Sequence, residues 1–314
     1  MTKNNSLLKS VRESAGMRLA VLFGSFFILL LLSSILTSII NNLSIGSARD
    51  HVLISSAIQC ILAFCIPAFL LAKFSSNKSL EWLKLTRPPK LKAIIGVLVI
   101  YFVSMPAMEW LIEWNANLHL PDSFASLEKI LRNWEESSEN TTKIILDAHG
   151  WAAMVIGILI IGFLTGFSEE VFFRGGLQGI FTRSSLGKGT SIWLVAIIFS
   201  VMHFQFFGFF PRLLMGAFFG YLLVWTKSLW IPIFAHILNN SAVVVTSSIF
   251  GYTAESFLTN EIVGTRLDSS LYVFGSVLLT FVTLFVFKET FFSVSKSSNK
   301  TWQKNQLPPV SGRR

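Results

Sequence analysis

The chain has 314 residues, of which 52% are apolar and only 14% charged, a composition that excludes an ordinary water-facing domain. A net charge of +9 would suit nucleic acid if the basic residues formed a hydrophilic domain, but they lie between long apolar runs. No nucleic-acid partner is expected, and the charge reads as membrane topology.

In chain order, sustained apolar runs fall near 17–40, 52–72, 92–112, 152–182, 190–208, 210–226, 230–250 and 270–287. Each approaches the roughly 20 residues a helix needs to cross a hydrocarbon core about 30 Å thick. None alternates as a membrane-barrel strand does, so the predicted fold is all-α, a polytopic bundle of eight transmembrane helices. The first run is too long for a signal-peptide core and is expected to be retained. Cys60 and Cys65 share one apolar run, at a spacing that suits neither a zinc knuckle nor a disulfide framework.

Sorting Lys and Arg onto alternate sides of such a path places 20 on one side and six on the other, which predicts both ends in the cytoplasm. Residues 1–16 are expected to be a cytoplasmic segment, 17–288 the membrane bundle, and 289–314 a basic, disordered cytoplasmic tail. The 114–150 stretch, rich in Asp, Glu, Ser and Asn, reads as an outer loop with short helical pieces. Short loops and no long targeting segment point to a bacterial plasma membrane.

Ionisable groups at bilayer depth are costly, so each needs a partner or a function. They concentrate in 152–250. Glu169, Glu170 and Arg174 interrupt one apolar run, Phe199 and His203 occupy the next, and His236 and Asn240 a third. Counting from the nearest cytoplasmic basic anchor puts Glu169, His203 and Asn240 at a common depth, roughly 20 Å along their helices, with His236 one turn nearer the cytoplasm. Glu170 and Arg174 are four apart and can pair on one face, whereas Glu169 is turned about 100° from that pair. A carboxyl with no local partner suits a base that later acts as an acid. His236 and Asn240 stack on one helical face as two donors able to hold an oxyanion. Blander readings stand beside these: a structural ion pair for Glu170 and Arg174, an interhelical hydrogen bond worth about 1 kcal/mol for Asn240, and plain packing for Phe199.

The ordered motifs E-E-x-x-x-R (Glu169, Glu170, Arg174), F-x-x-x-H (Phe199, His203) and H-x-x-x-N (His236, Asn240) resemble those of the CPBP family of intramembrane proteases. That family includes the type II CAAX prenyl endopeptidases and bacteriocin self-immunity proteins. The resemblance covers 160–245 and implies a peptidase core at 152–250. It also implies that Glu169 and His203 activate a water while His236 and Asn240 stabilise the oxyanion, with Glu170, Arg174 and Phe199 in support. Its expected partners are the lipid bilayer and a peptide or membrane-protein substrate. A metal-free, glutamate-type mechanism without a cofactor is favoured, because it leaves Glu169 as base and Asn240 as donor. Zinc held by Glu169, His203 and His236 is the alternative. The H-E-x-x-H, G-x-S-x-G and Gly-Asp signatures of other proteases are absent from the sequence. Two other functions fit the same residues: a proton-coupled transporter using Glu109, Glu169 and His203, and a non-catalytic immunity or scaffold protein.

Overall fold

The computed structural model describes residues 10–12, 14–43, 46–251 and 266–304, and among them there is no strand. The principal helices are α1 (Ala15–Asn42), α2 (Ala48–Ser75), α3 (Leu91–Ala116), α4 (Ala125–Leu146), α5 (Trp151–Thr182), α6 (Lys188–Val201), α7 (Phe209–Thr226), α8 (Trp230–Phe250) and α9 (Arg266–Lys304). Seven of them are long and apolar enough to cross a membrane. Large apolar side chains such as Ile28, Leu31, Phe102 and Phe281 face outward, as lipid contact demands, and the chain is an integral, multi-pass membrane protein.

The eight-span expectation needs one correction. The expected fifth span is α6, only 14 residues long, or about 21 Å. It ends at Val201 because the chain turns there, with Phe204 in the left-handed region (φ 55°). Helices α6 and α7 form an antiparallel hairpin: Gly216 abuts Ala196 and Gly220 abuts Ile192. The hairpin returns the chain to the side it left, so the alternation of sides survives the shorter helix. Arg174 also departs from its expected place at the basic face, since it is wholly buried; removing it from the topology count does not alter the imbalance.

Two G-x-x-x-G stripes set the closest helix pairs, a device suited to membranes because small residues let backbones approach. Gly162 and Gly166 of α5 lie against Ser241 and Ile237 of α8, and Gly216 and Gly220 of α7 against α6. Helix α5 is not a regular α-helix. It is π-helical over Ile158–Thr165 and Val171–Leu177, with one α-helical stretch, Gly166–Glu170, between them. Helix α2 has a third π segment, Cys60–Cys65.

The outer segment differs from the expected loop: Ala125–Leu146 is one helix of 22 residues. Its less exposed positions, Glu128, Leu131, Arg132, Glu135, Ser138 and Thr142, recur at helical spacing, so one face lies on the bundle. Glu128 ties this helix to the preceding turn, accepting from the Leu120 amide (2.8 Å) and from Arg132 Nε (2.9 Å). At the other end of the chain, α9 runs to Lys304, so the tail expected from 289 begins as a continuation of that helix. Residues 305–314 and 1–9 lie outside the described residues.

Two predictions follow from this packing. A Cβ on Gly216 would stand 3.2 Å from Ala196 Cα and from a Phe199 ring carbon. Gly216→Ala is therefore expected to lower thermal stability in detergent by about 1–3 kcal/mol. Gly24→Ala, with nothing within 4 Å, should leave it unchanged or raise it. Separately, the Leu120 amide, first, and Arg132 hold the Glu128 carboxyl below its ordinary 4.5. Its contribution is then complete above pH 4.5 and lost as pH falls through the lowered value. Hydrogen exchange at the Leu120 amide should accelerate on that acidification, and Glu128→Gln should remove the acid dependence.

Candidate functional site

The α-helical stretch Gly166–Glu170 brings two adjacent glutamates against α8, because Gly166 leaves no side chain between the helices. A Cβ there would sit 3.1 Å from the Ile237 amide nitrogen. Glu170 and Arg174 are both fully buried and joined by a 2.6 Å Nη1–Oε1 contact. Arg174 Nη2 also donates to the Gly216 carbonyl (3.0 Å), which the missing glycine side chain leaves accessible. One turn further on, Gln178 Nε2 donates to the Gly220 carbonyl (3.1 Å). The Arg174 guanidinium lies 4.5 Å from the Phe199 ring centre and 5.2 Å from that of Phe219, adding cation–π attraction in a desolvated setting.

The Oε1 atom of Glu170 that meets Arg174 also meets His236 Nδ1 at 2.9 Å. An Nδ1–H donated to that carboxylate leaves Nε2 directed elsewhere. Nε2 lies 3.8 Å from Glu169 Oε2, within ion-pair range but beyond a hydrogen bond. The imidazole is stacked on Phe219 (ring centres 4.9 Å apart, 22° between planes) and meets the edge of Phe199 at 6.0 Å. Glu169 Oε2 and Glu170 Oε2 are each buried without a hydrogen-bond partner, but Glu170 is held through its other oxygen. The two glutamates thus have different surroundings, one locked by Arg174 and His236, the other presenting an oxygen to the His236 ring.

His203 is not inside a helix but on the turn that follows α6. Its Nδ1 lies 2.8 Å from the Phe199 carbonyl oxygen, so an Nδ1–H donates there and Nε2 keeps its lone pair. The Phe199 and His203 rings meet edge to face at 4.8 Å. Phe199 consequently touches Arg174, His203 and His236 together, more than its sequence position indicates. The turn is clasped from outside. Asn115, at the end of α3 and fully buried, donates to the Phe206 carbonyl (3.3 Å) and accepts from the Phe210 amide (2.8 Å). Glu135 of α4 accepts from Gln205 Nε2 (3.1 Å) and the Phe207 amide (3.3 Å). Arg212 donates to Gln205 Oε1 (2.5 Å) and to the Gln205 carbonyl (3.3 Å). These three positioning residues escape sequence reasoning. Asn115 ends a run with no motif, Glu135 sits in an acidic stretch, and Arg212 resembles a topology charge.

Asn240 is placed differently from the other motif residues. Its Nδ2 donates to the Ile161 carbonyl (3.1 Å), and its Oδ1 accepts from Asn239 (3.3 Å). It therefore bridges α8 to the π-helical part of α5, one turn from His236. One amide hydrogen is committed there, leaving the second as the donor for any further role. Among the described residues no three His, Cys, Asp or Glu side chains gather closely enough to hold a metal ion.

Residues 151–242, which contain all seven motif residues, match the family described as type II CAAX prenyl endopeptidase Rce1-like. Over 117 residues the chain is 32% identical to the membrane-embedded CAAX protease MroQ of Staphylococcus aureus (strain USA300), covering 35% of this chain and 46% of that protein. Over 124 residues it is 29% identical to the putative membrane peptidase YdiL of Bacillus subtilis (strain 168), covering 38% and 48%. The chain spans about half the length of these curated relatives. No solved structure matches it.

Removing one partner of a buried ion pair strands the other charge, at a cost of about 3–5 kcal/mol. Arg174→Met is expected to destabilise the protein by about that much. The double variant Glu170→Gln/Arg174→Met should recover most of the loss, as read by denaturant unfolding in detergent.

Proposed function

With an Rce1-like segment at 151–242 as the premise, we propose that the protein is an intramembrane endopeptidase whose active core is 152–250. The observation that carries this reading is the buried, unbonded Oε2 of Glu169, 3.8 Å from His236 Nε2. A carboxylate oxygen at that depth needs a proton-bearing partner, and a substrate water is one. Glu169 Oε2 and the His203 Nε2 lone pair orient the water, and Glu169 takes its proton as the oxygen attacks the peptide carbonyl carbon. The carbonyl π electrons move onto oxygen. His236, its charge balanced at Nδ1 by Glu170, and the second N–H of Asn240 donate to that oxyanion. As the tetrahedral species collapses, the C–N bond breaks and Glu169 returns the proton to the leaving nitrogen. The products are one carboxyl and one amine terminus.

Glu170 and Arg174 act in this scheme as positioning residues, holding the His236 ring in one orientation with its Nδ1–H on Glu170. No step is routed through a metal. The substrate is a peptide bond presented at bilayer depth, in a peptide or membrane protein.

Purified protein should cleave a fluorogenic peptide library in detergent micelles. Glu169→Gln and His203→Ala should each lower kcat by at least about 100-fold, with thermal stability equal to or above wild type. Asn240→Ala should cost roughly 10- to 100-fold. Wild-type cleavage by Glu169→Gln would overturn the mechanism, and a chelator arm would report any metal requirement.

A further inference from the structure

The basic face of the bundle contains a cavity of about 650 Å³ between three separate chain segments. Lys84 and Arg87 come from the loop between α2 and α3, Arg183 from the α5–α6 connection and Lys188 from the first residue of α6, and Lys227 from the turn between α7 and α8. The walls are built rather than accidental. The Lys84, Leu85 and Arg87 carbonyls accept, respectively, from the Leu229 amide (3.1 Å), Trp230 Nε1 (2.8 Å) and Ser228 Oγ (2.7 Å). Arg183 is pinned by the Gly179 and Trp82 carbonyls (2.7 and 2.9 Å) and stacked 4.4 Å from the Trp82 ring centre.

Charge in this cavity is unbalanced. Its one lining carboxylate, Glu81, pairs with Lys78 (3.2 Å). Among the described residues no acidic side chain forms an ion pair with Lys84, Arg87, Arg183 or Lys188. Burial first, and then the charges of Arg183, Lys188, Arg87 and Lys227, push Lys84 down to about 8. The non-glycine residues described with positive φ are Lys84 (60°), Phe204 (55°) and Lys227 (59°). Two lysines that line one cavity thus occupy a conformation that glycine adopts without a Cβ penalty. Both sit where a helix ends, Lys227 capping α7 and Lys84 following the short helix Ser79–Trp82, so each side chain leaves its helix end toward the cavity.

We propose that this cavity binds a phosphate-bearing anion, presented as the headgroup of an anionic phospholipid. The Arg87 guanidinium and the ammonium groups of Lys84 and Lys188, with the pinned Arg183 adding its charge beside them, match the charge of a phosphate diester or monoester. The cavity lies where α5 and α7 end and α6 and α8 begin, the level at which headgroups meet a membrane protein. Those four helices and the turn after α6 carry Glu169, His203, His236 and Asn240, so a bound headgroup braces them from the basic face. This assignment does not depend on the peptidase reading.

The test uses the purified chain in a neutral detergent and follows thermal unfolding with short-chain phosphatidylglycerol, short-chain phosphatidylcholine or inorganic phosphate added. Phosphatidylglycerol should raise the midpoint by roughly 5 °C near saturation, and phosphatidylcholine should not. An equal rise with inorganic phosphate alone would assign the same cavity to a soluble phosphate. Lys84→Gly and Lys227→Gly each remove one lining charge at a helix-end position where glycine is favoured. Each should raise the ligand-free midpoint while abolishing the response. An undiminished response in both variants, or no difference between the two lipids in the wild type, would overturn the proposal.

Discussion

A guanidinium held in the interior of a membrane bundle must be neutralised, and Arg174 is neutralised by Glu170 across one helical turn. Much of the site is arranged around that necessity. The shared Oε1 of Glu170 fixes His236 on α8, and the second nitrogen of Arg174 takes the Gly216 carbonyl on α7. Gly216 must lack a side chain for that contact and for the approach of Ala196 on α6, the helix that carries Phe199 and leads to His203. One buried cation therefore sets both histidine-bearing segments relative to Glu169. A structure organised this way is sensitive to charge in its centre and tolerant of apolar change on its lipid face.

Much of this was legible in the residues themselves. Apolar runs gave the helices, and the spacing of Glu170 and Arg174 gave their pairing because one α-helical stretch happens to carry the start of it. Counting along the helices set Glu169 level with Asn240 and put His236 one turn nearer the cytoplasm, whereas His236 Nε2 lies 3.8 Å from Glu169 Oε2. What escaped was whatever depends on non-local backbone. A chain turn at 202–204 cannot be distinguished from a continuing apolar helix by hydropathy, since Met202, Phe204 and Phe206 are as apolar as a span requires. The acidic helix α4 looked like a loop because only one narrow face of it meets protein. Asn240 looked like a donor aimed at substrate, but a π-helical stretch of α5 brings the Ile161 carbonyl to it first. The π segments have no reliable sequence mark; the G-x-x-x-G stripes do, and they register the α5–α8 and α6–α7 contacts.

The two ends of the bundle are built on different principles. At one end, side chains from α3 and α4 clasp the His203 turn through amides and carboxylates, with Asn115 and Glu135 each making two contacts to it. At the other, backbone carbonyls of 84–87 are sewn to the 228–230 turn while their cationic side chains face inward across a cavity. The first arrangement satisfies its polar groups within the protein. The second gathers side chains of mostly one sign around a cavity.

Helix α6 is 14 residues long, and its rise of about 21 Å falls short of a hydrocarbon layer roughly 30 Å thick. The leaflet above the hairpin must therefore thin, or give way to protein, in meeting the His203 turn. Helix α4 supplies that protein, with Trp134 set edge to face against Phe204 at 6.1 Å. Such hydrophobic mismatch shortens the distance between bulk water and the imidazole. It makes the depth of the reactive groups a property of the local membrane deformation as well as of the chain.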